Sequence, residues 1–380
     1  MSSSTSPNPH PIPLTESEVF IRGFLAANPA LDADLGPIEV MTDRYTNAEW
    51  AAQIEETQKA VLKAVEARKV YQGPQMRNGQ EALKELAKTI DHTVLKLDTT
   101  QSAVDGLCSE ARTEDFKSVC VRLNWVSRCI SNLKGSSVLV ACVVGFHEGT
   151  QDTHSKLREA RAAVQAGALE LDLVLNHALL TKHNKPAART VPIRSHDSAI
   201  DSITAANTYA NSKASEDEND ELPDYSAIFR ELASMRSLCP SPVVLKLILE
   251  TSQLTDAQIL AASHLAAAAN FDFIKTSTGF NGHGATLPHV QLMVAAAEYL
   301  QAQRVGSRKM QVKASGGVRS LETAVQMLEA GATRLGTSSG LWIMQEARTK
   351  VGEAKGNGVD AVDRPGATRL YTDDSVGGGY

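Results

Sequence analysis

Four apolar stretches of this chain carry charge where charge is unusual: LELDLVLN holds Asp172, LKLILET holds Lys246 and Glu250, FDFIKTSTGF holds Lys275, and QVKASGGV holds Lys313. Side chains alternate faces along an extended strand, so Phe271, Phe273 and Lys275 share a face, as do Gln311, Lys313 and Ser315, and Lys246, Ile248 and Glu250. A single lysine near a strand end is read as reaching out to solvent. For three on neighbouring strands that reading weakens, because lysines are almost never fully buried without a partner and like charges gather where chemistry needs them. The chemistry they suit is nucleophilic attack by an amine. A nucleophilic lysine must be neutral near pH 7, at a cost of roughly 4 kcal/mol against its ordinary pKa of ~10.4. A second ammonium about 6 Å away supplies roughly 3 kcal/mol of that at an effective dielectric of about 20. With Lys275 as the nucleophile, Lys313 is expected to provide most of the depression and partial desolvation the remainder.

A second group of residues is glycine-rich and hydroxylic: TSTGF follows the Lys275 stretch, SGGVRS the Lys313 stretch, and GTSSG comes last. Glycines let backbone N–H groups approach an anion, and a following helix amino terminus favours negative charge. A lone Gly-Gly is only a turn. Two such loops in succession lead us to expect Gly316, Gly317, Ser338 and Ser339, with Gly279 nearby, to hold a substrate phosphate.

These residues need a frame. From residue 87 to about 349 the chain alternates short β-branched runs with longer helical patterns, the signature of consecutive βα units and a parallel sheet. The strand candidates are LAKTIDHTVL, FKSVCVRL, SSVLVACVVG, ALELDLVLN, PVVLKLILE, FDFIKTST, KMQVKASG and ATRLGTS, which makes eight. Tyr225, Ile228, Phe229 and Leu232 fall on one helical face, as do Leu321, Ala324, Val325 and Leu328. Strands such as VLVACVV are apolar throughout, as a sheet covered on both faces requires. Eight units in this length fit a closed (β/α)8 TIM barrel better than an open sheet, and a barrel places its chemistry at the carboxyl ends of its strands.

Around the barrel, at residues 81–350, lie three additions. Residues 1–80 form an extension with little core of its own, a Ser/Pro-rich tail followed by helical stretches near ESEVFIRGFLAA and NAEWAAQIEETQKAVLKAVEARKV. Residues 180–223 are a polar insertion, expected to be partly disordered. Residues 351–380 are a Gly- and Asp-rich tail, expected to be mobile.

The composition excludes several partners. With 38 Lys and Arg against 44 Asp and Glu, the charge is 38 − 44 = −6 and is scattered, so nucleic acid is not expected. Neither a leader peptide nor an apolar run long enough for a bilayer stands out, so no membrane association and a cytoplasmic location are expected. The five cysteines, Cys108, Cys120, Cys129, Cys142 and Cys239, form no C-x-x-C pair and read as reduced core residues.

Taken in order, IDHTVLK, VCV, VVGFHEGT, EARAAVQAGALELDLVLN, LKLILET, FIKTSTGF, VKASGGVRS and LGTSSG resemble deoxyribose-phosphate aldolase, across residues 90 to 340. That family interconverts 2-deoxy-D-ribose 5-phosphate with acetaldehyde and glyceraldehyde 3-phosphate through a lysine Schiff base. The resemblance implies that Lys275 is the Schiff-base lysine, Asp172 the proton-relay carboxylate and Lys313 the second active-site lysine. It places Asp91 and Thr93 in a first-strand motif lining the pocket, where Lys246 also belongs among the substrate-binding residues. It implies no metal and no organic cofactor, and a homodimer is expected. The chain departs from the compact family pattern in its extension, its insertion and its tail, and in having His147 and Glu148 where a proline-containing turn is common. The residues alone leave open another Schiff-base barrel aldolase or transaldolase, and a non-catalytic phosphosugar-binding barrel. The terminal Tyr380, tethered by three glycines, is expected to visit the active site.

Overall fold

The computed structural model describes residues 13–32, 35, 45–67, 80–180 and 222–354. Most of the insertion, the tail beyond residue 354 and Tyr380 lie outside the described residues.

Eight parallel strands close on one another in chain order: β1 Ile90–Thr93, β2 Ser118–Val121, β3 Leu139–Val144, β4 Glu170–Val174, β5 Val244–Ile248, β6 Phe273–Lys275, β7 Gln311–Ser315 and β8 Arg334–Thr337. Each falls within one of the eight stretches read from the sequence. The helices are α1 Glu16–Ala27, α2 Asn47–Ala67, α3 Gln80–Ala87, α4 Gln101–Glu114, α5 Val126–Asn132, α6 Thr153–Gln165, α7 Tyr225–Leu238, α8 Asp256–Ala268, α9 Leu287–Ala302, α10 Leu321–Glu329 and α11 Gly340–Ala354. Most start on a side chain that satisfies an orphan N–H of the first turn: Thr100 for α4, Asp152 for α6, Asp224 for α7, Thr255 for α8, Thr286 for α9 and Ser320 for α10. Among the described residues no helix is long and apolar enough to cross a membrane.

Register decides which side chains meet. Asp172 on β4 is the partner of Lys246 on β5, Ile248 of Lys275 on β6, and Lys275 of Lys313 on β7. The alternation read from sequence holds within these strands and fails just outside them. Phe271 precedes β6 and packs in the large core between barrel and helices, while Glu250 lies beyond β5 with φ 58°. A smaller apolar cluster, Leu95, Cys120, Ala141, Val143, Phe146, Val174 and Ile248, fills the barrel beside Phe280.

The described helices of the extension include one that packs on this frame. Helix α2 lies against α7, α8 and α9 and buries Trp50, Ile54 and Val61 in the main core. That cover explains the continuous burial of Ile259 through Ala267 on α8, a helix with apolar residues all round. The seam's polar contacts include Thr57 Oγ1 with His264 Nδ1 at 2.9 Å, beside the Trp50 ring, and the Gln58 side-chain amide donating to the Ala257 carbonyl at 2.8 Å. The five cysteines are buried and free.

Candidate active site

The interior of the barrel is charged. Asp172 is fully buried and contacts all three lysines: Lys246 Nζ at 2.7 Å on Oδ1, and Lys275 Nζ at 2.9 Å and Lys313 Nζ at 2.7 Å on Oδ2. Lys313 also reaches Asp91 at 2.6 Å, Lys246 reaches Glu170 at 2.6 Å, and Arg334 joins Asp91 to Glu170 at 2.6 and 3.0 Å. Every one of these groups is paired, which is the condition for ionised side chains to persist in a core.

Three carboxylates, Asp91, Glu170 and Asp172, thus face four cations, Lys246, Lys275, Lys313 and Arg334; 4 − 3 leaves one positive charge in excess. The surroundings decide which cation yields its proton. For Lys313 and Lys246, burial is the largest single effect and works against the ammonium, but the carboxylates together outweigh it, Asp172 with Asp91 for the first and Asp172 with Glu170 for the second, so both are held above the ordinary lysine range. For Lys275, burial and the neighbouring Lys313 charge outweigh Asp172, and the amine falls below that range. Desolvation is the larger cause, so the expectation that Lys313 would supply most of the depression is corrected. The reason is geometric: Lys313 shares the Asp172 oxygen that also stabilises the Lys275 ammonium. Asp172 itself is held well below the usual carboxylate range, because the charges of Lys246, Lys275 and Lys313 overcome its burial.

Of this cluster, Lys275 alone lines the cavity at the carboxyl ends of the strands, together with Thr93, Gly279, Gly316, Gly317 and Ser338 from the sequence reading. Asp91, Asp172, Lys246 and Lys313 lie beneath it. Ser339 is not among the residues lining the cavity, and its N–H is donated to Thr337 Oγ1 at 2.9 Å. The glycines have a steric reason. A side chain at Gly316, where φ is +83°, would stand 2.8 Å from the Gly284 Cα, and one at Gly336 would press on Lys313 Cε at 2.9 Å.

Sequence reasoning missed Glu170 and Arg334, although Glu170 stands two residues before Asp172 and so shares its face. It also missed Leu95, Phe280 and Arg319 on the cavity wall. The Phe280 ring stacks on His147, centroids 5.1 Å apart, and meets Phe146 edge-on, which brings the loop after β3 to the rim. Among the described residues no group of three or more His, Cys, Asp or Glu side chains is placed to hold a metal ion. A depressed amine on a cavity wall can add to a carbonyl carbon, and the carboxylate at its base can exchange protons with whatever forms there.

Over about two thirds of its length the chain is similar to known aldolases. Residues 205–346 match the model of the DeoC/LacD family aldolases. A deoxyribose-phosphate aldolase of Coccidioides immitis is 40% identical over 263 residues, 69% of this chain and 81% of its own length. The deoxyribose-phosphate aldolase of Brevibacillus brevis is 37% identical over 69% of this chain and 96% of its own. A crystal structure from Coccidioides immitis, described as a candidate deoxyribose-phosphate aldolase, covers 81% of this chain and 100% of its own at 36% identity, with a TM-score of 0.60.

Proposed function

This chain belongs to the deoxyribose-phosphate aldolase family, and on that premise we propose that it cleaves 2-deoxy-D-ribose 5-phosphate reversibly through a Schiff base at Lys275. It is a carbon–carbon lyase. The observation that carries the assignment of Lys275 is its place as the one member of the buried charge cluster on the cavity wall, with its basicity lowered while Lys246 and Lys313 stay charged.

The Lys275 amine adds to the C1 aldehyde of the open-chain sugar, and loss of water leaves an iminium. Electrons of the C2–C3 bond then move toward the iminium as the C3 hydroxyl loses its proton. Glyceraldehyde 3-phosphate departs and an enamine remains. A proton returned to the enamine carbon, followed by hydrolysis, releases acetaldehyde and the free amine. Asp172, with Lys313 beside it, relays both protons, through water where the reacting atom lies beyond direct reach. Backbone N–H groups of Gly279, Gly316, Gly317 and Ser338 hold the phosphate, a reading supported by their position on the same wall as Lys275. Free, buried cysteines suit a cytoplasmic enzyme, and its assembly is read as a homodimer, which sedimentation velocity checks.

Borohydride reduction in the presence of deoxyribose 5-phosphate, followed by peptide mapping, tests the central step. The expected adduct is on Lys275, and Lys275→Ala is expected to lose essentially all cleavage. An adduct on Lys246 or Lys313 overturns the assignment, and no adduct at all returns the barrel to a phosphosugar binder.

A further inference from the structure

We infer that Glu250 is the positioning residue for the loop that receives the phosphate end of the substrate, an inference that rests on the reading of the site given above. Glu250 lies just beyond β5, after Leu249, is 1% exposed, and holds a left-handed backbone at φ 58°, ψ 60°. Side chains other than glycine adopt that region rarely, and they keep it where the surroundings over-determine it. Here the surroundings are the loop after β6. Both carboxylate oxygens of Glu250 accept the Thr278 N–H at 3.3 Å, and one also accepts the Thr278 hydroxyl in a short hydrogen bond. The same hydroxyl oxygen accepts the Phe280 N–H at 3.0 Å.

The direction of these bonds matters. A threonine hydroxyl has one proton, and with that proton given to Glu250 its lone pairs are fixed toward Phe280. Gly279 is thereby bracketed, held on one side through Thr278 and on the other through Phe280, and all three line the cavity. Neighbouring bonds stitch the two segments further: the Thr251 N–H to the Thr276 carbonyl at 2.9 Å, and Ser252 Oγ to the Asn281 carbonyl at 2.7 Å. The Glu250 carboxylate feels the Lys275 charge, but the hydrogen bonds of the clamp do not include the Lys275 amine. Its position is set by the β5–β6–β7 register and by Asp172. Loss of the Glu250 carboxylate therefore frees the phosphate end of the loop while the amine stays in place.

The test compares Glu250→Ala, Glu250→Gln and Thr278→Val with the unaltered chain, on deoxyribose 5-phosphate and on unphosphorylated deoxyribose. For Glu250→Ala the expected result is a KM for the phosphorylated sugar raised about tenfold or more, with kcat changed less than about threefold and kcat/KM for the unphosphorylated sugar changed about twofold at most. Glu250→Gln keeps an acceptor for the hydroxyl and is expected to recover most of the loss. Thr278→Val, which removes only the hydroxyl, is expected to reproduce it, and it decides the matter alone where Glu250→Ala does not fold. Equal losses on both substrates, an unchanged KM, or a glutamine variant as poor as alanine overturn the inference. Borohydride trapping on the unaltered chain is run alongside, so that a failure of the Schiff-base reading appears there and a failure of the Glu250 inference appears in the substrate comparison.

Discussion

Burial lowers the basicity of a side chain in two places in this molecule, with opposite consequences. At the α2–α8 seam, burial pulls His264 down to about 4, and the ring contacts Thr57 Oγ1 beside the Trp50 indole. In the barrel, burial pulls Lys275 down as well, but that amine opens onto a cavity and stands on a carboxylate. The same desolvation produces a structural contact in one place and a nucleophile in the other. What separates them is access and a proton-handling neighbour, so a depressed pKa alone identifies neither.

The largest expected effect that sharpens this contrast is at Lys313. Lys313→Met removes one of the two ammonium groups on Asp172 Oδ2 and leaves that oxygen to Lys275, with Lys246 still on Oδ1. The Lys275 amine is active when neutral, so a higher pKa moves the acid limb of kcat/KM to higher pH. At pH 7 the loss is expected to be on the order of 100-fold to 1,000-fold, read from a pH–rate profile. An acid limb that stays where it was would mean that burial alone sets Lys275.

Next in size is Trp50→Ala, on the other side of the comparison. Removing a side chain 2% exposed from the seam is expected to lower stability by about 3–5 kcal/mol in urea denaturation, with the turnover of the molecules still folded unchanged. A loss of turnover larger than the loss of folded protein would show that the seam and the site are coupled.

The smallest effect is one of pH. The folded-state pKa of His264 lies below its unfolded value of about 6.5, so its contribution to stability is complete above that value and is lost as pH falls toward about 4. The full window corresponds to roughly 3 kcal/mol. His264→Gln is expected to flatten the fall in unfolding free energy between pH 7 and pH 4.5 without changing kcat at pH 7. A variant as acid-sensitive as the unaltered chain would place the titration elsewhere.

The barrel was legible because its strands are covered on both faces, so that apolar, β-branched runs stood out eight times against amphipathic helices. The lysines were legible for the same reason, charge being conspicuous in such runs. Glu170 and Arg334 were not. Each is a charge near the start of a strand, where solvent is the ordinary expectation, and only barrel closure brings β8 back to β1 and Arg334 to Asp91. The docking place of the extension was equally hidden. Trp50, Ile54 and Val61 mark one face of a helix, but nothing in their spacing says which surface that face meets, and the counterpart signal, the unbroken apolar run of α8, lies some 200 residues away. Phe280 and Arg319 escaped because loop side chains obey no period.

The register of β4 to β7 bears on which changes in the gene this protein tolerates. Asp172 and Lys246 are partners across β4 and β5 although the whole polar stretch of residues 181–221 is spliced between them, so the length of that connection does not disturb the pairing. Within a strand the tolerance is nil, because side chains alternate and a shift of one residue turns each of them to the opposite face. An in-frame deletion of the Ile274 codon would aim Lys275 at the helices and remove it from Asp172. The reading frame can therefore grow by dozens of codons between strands, while the gain or loss of one codon inside β6 or β7 removes the chemistry with the barrel's apolar composition almost unchanged.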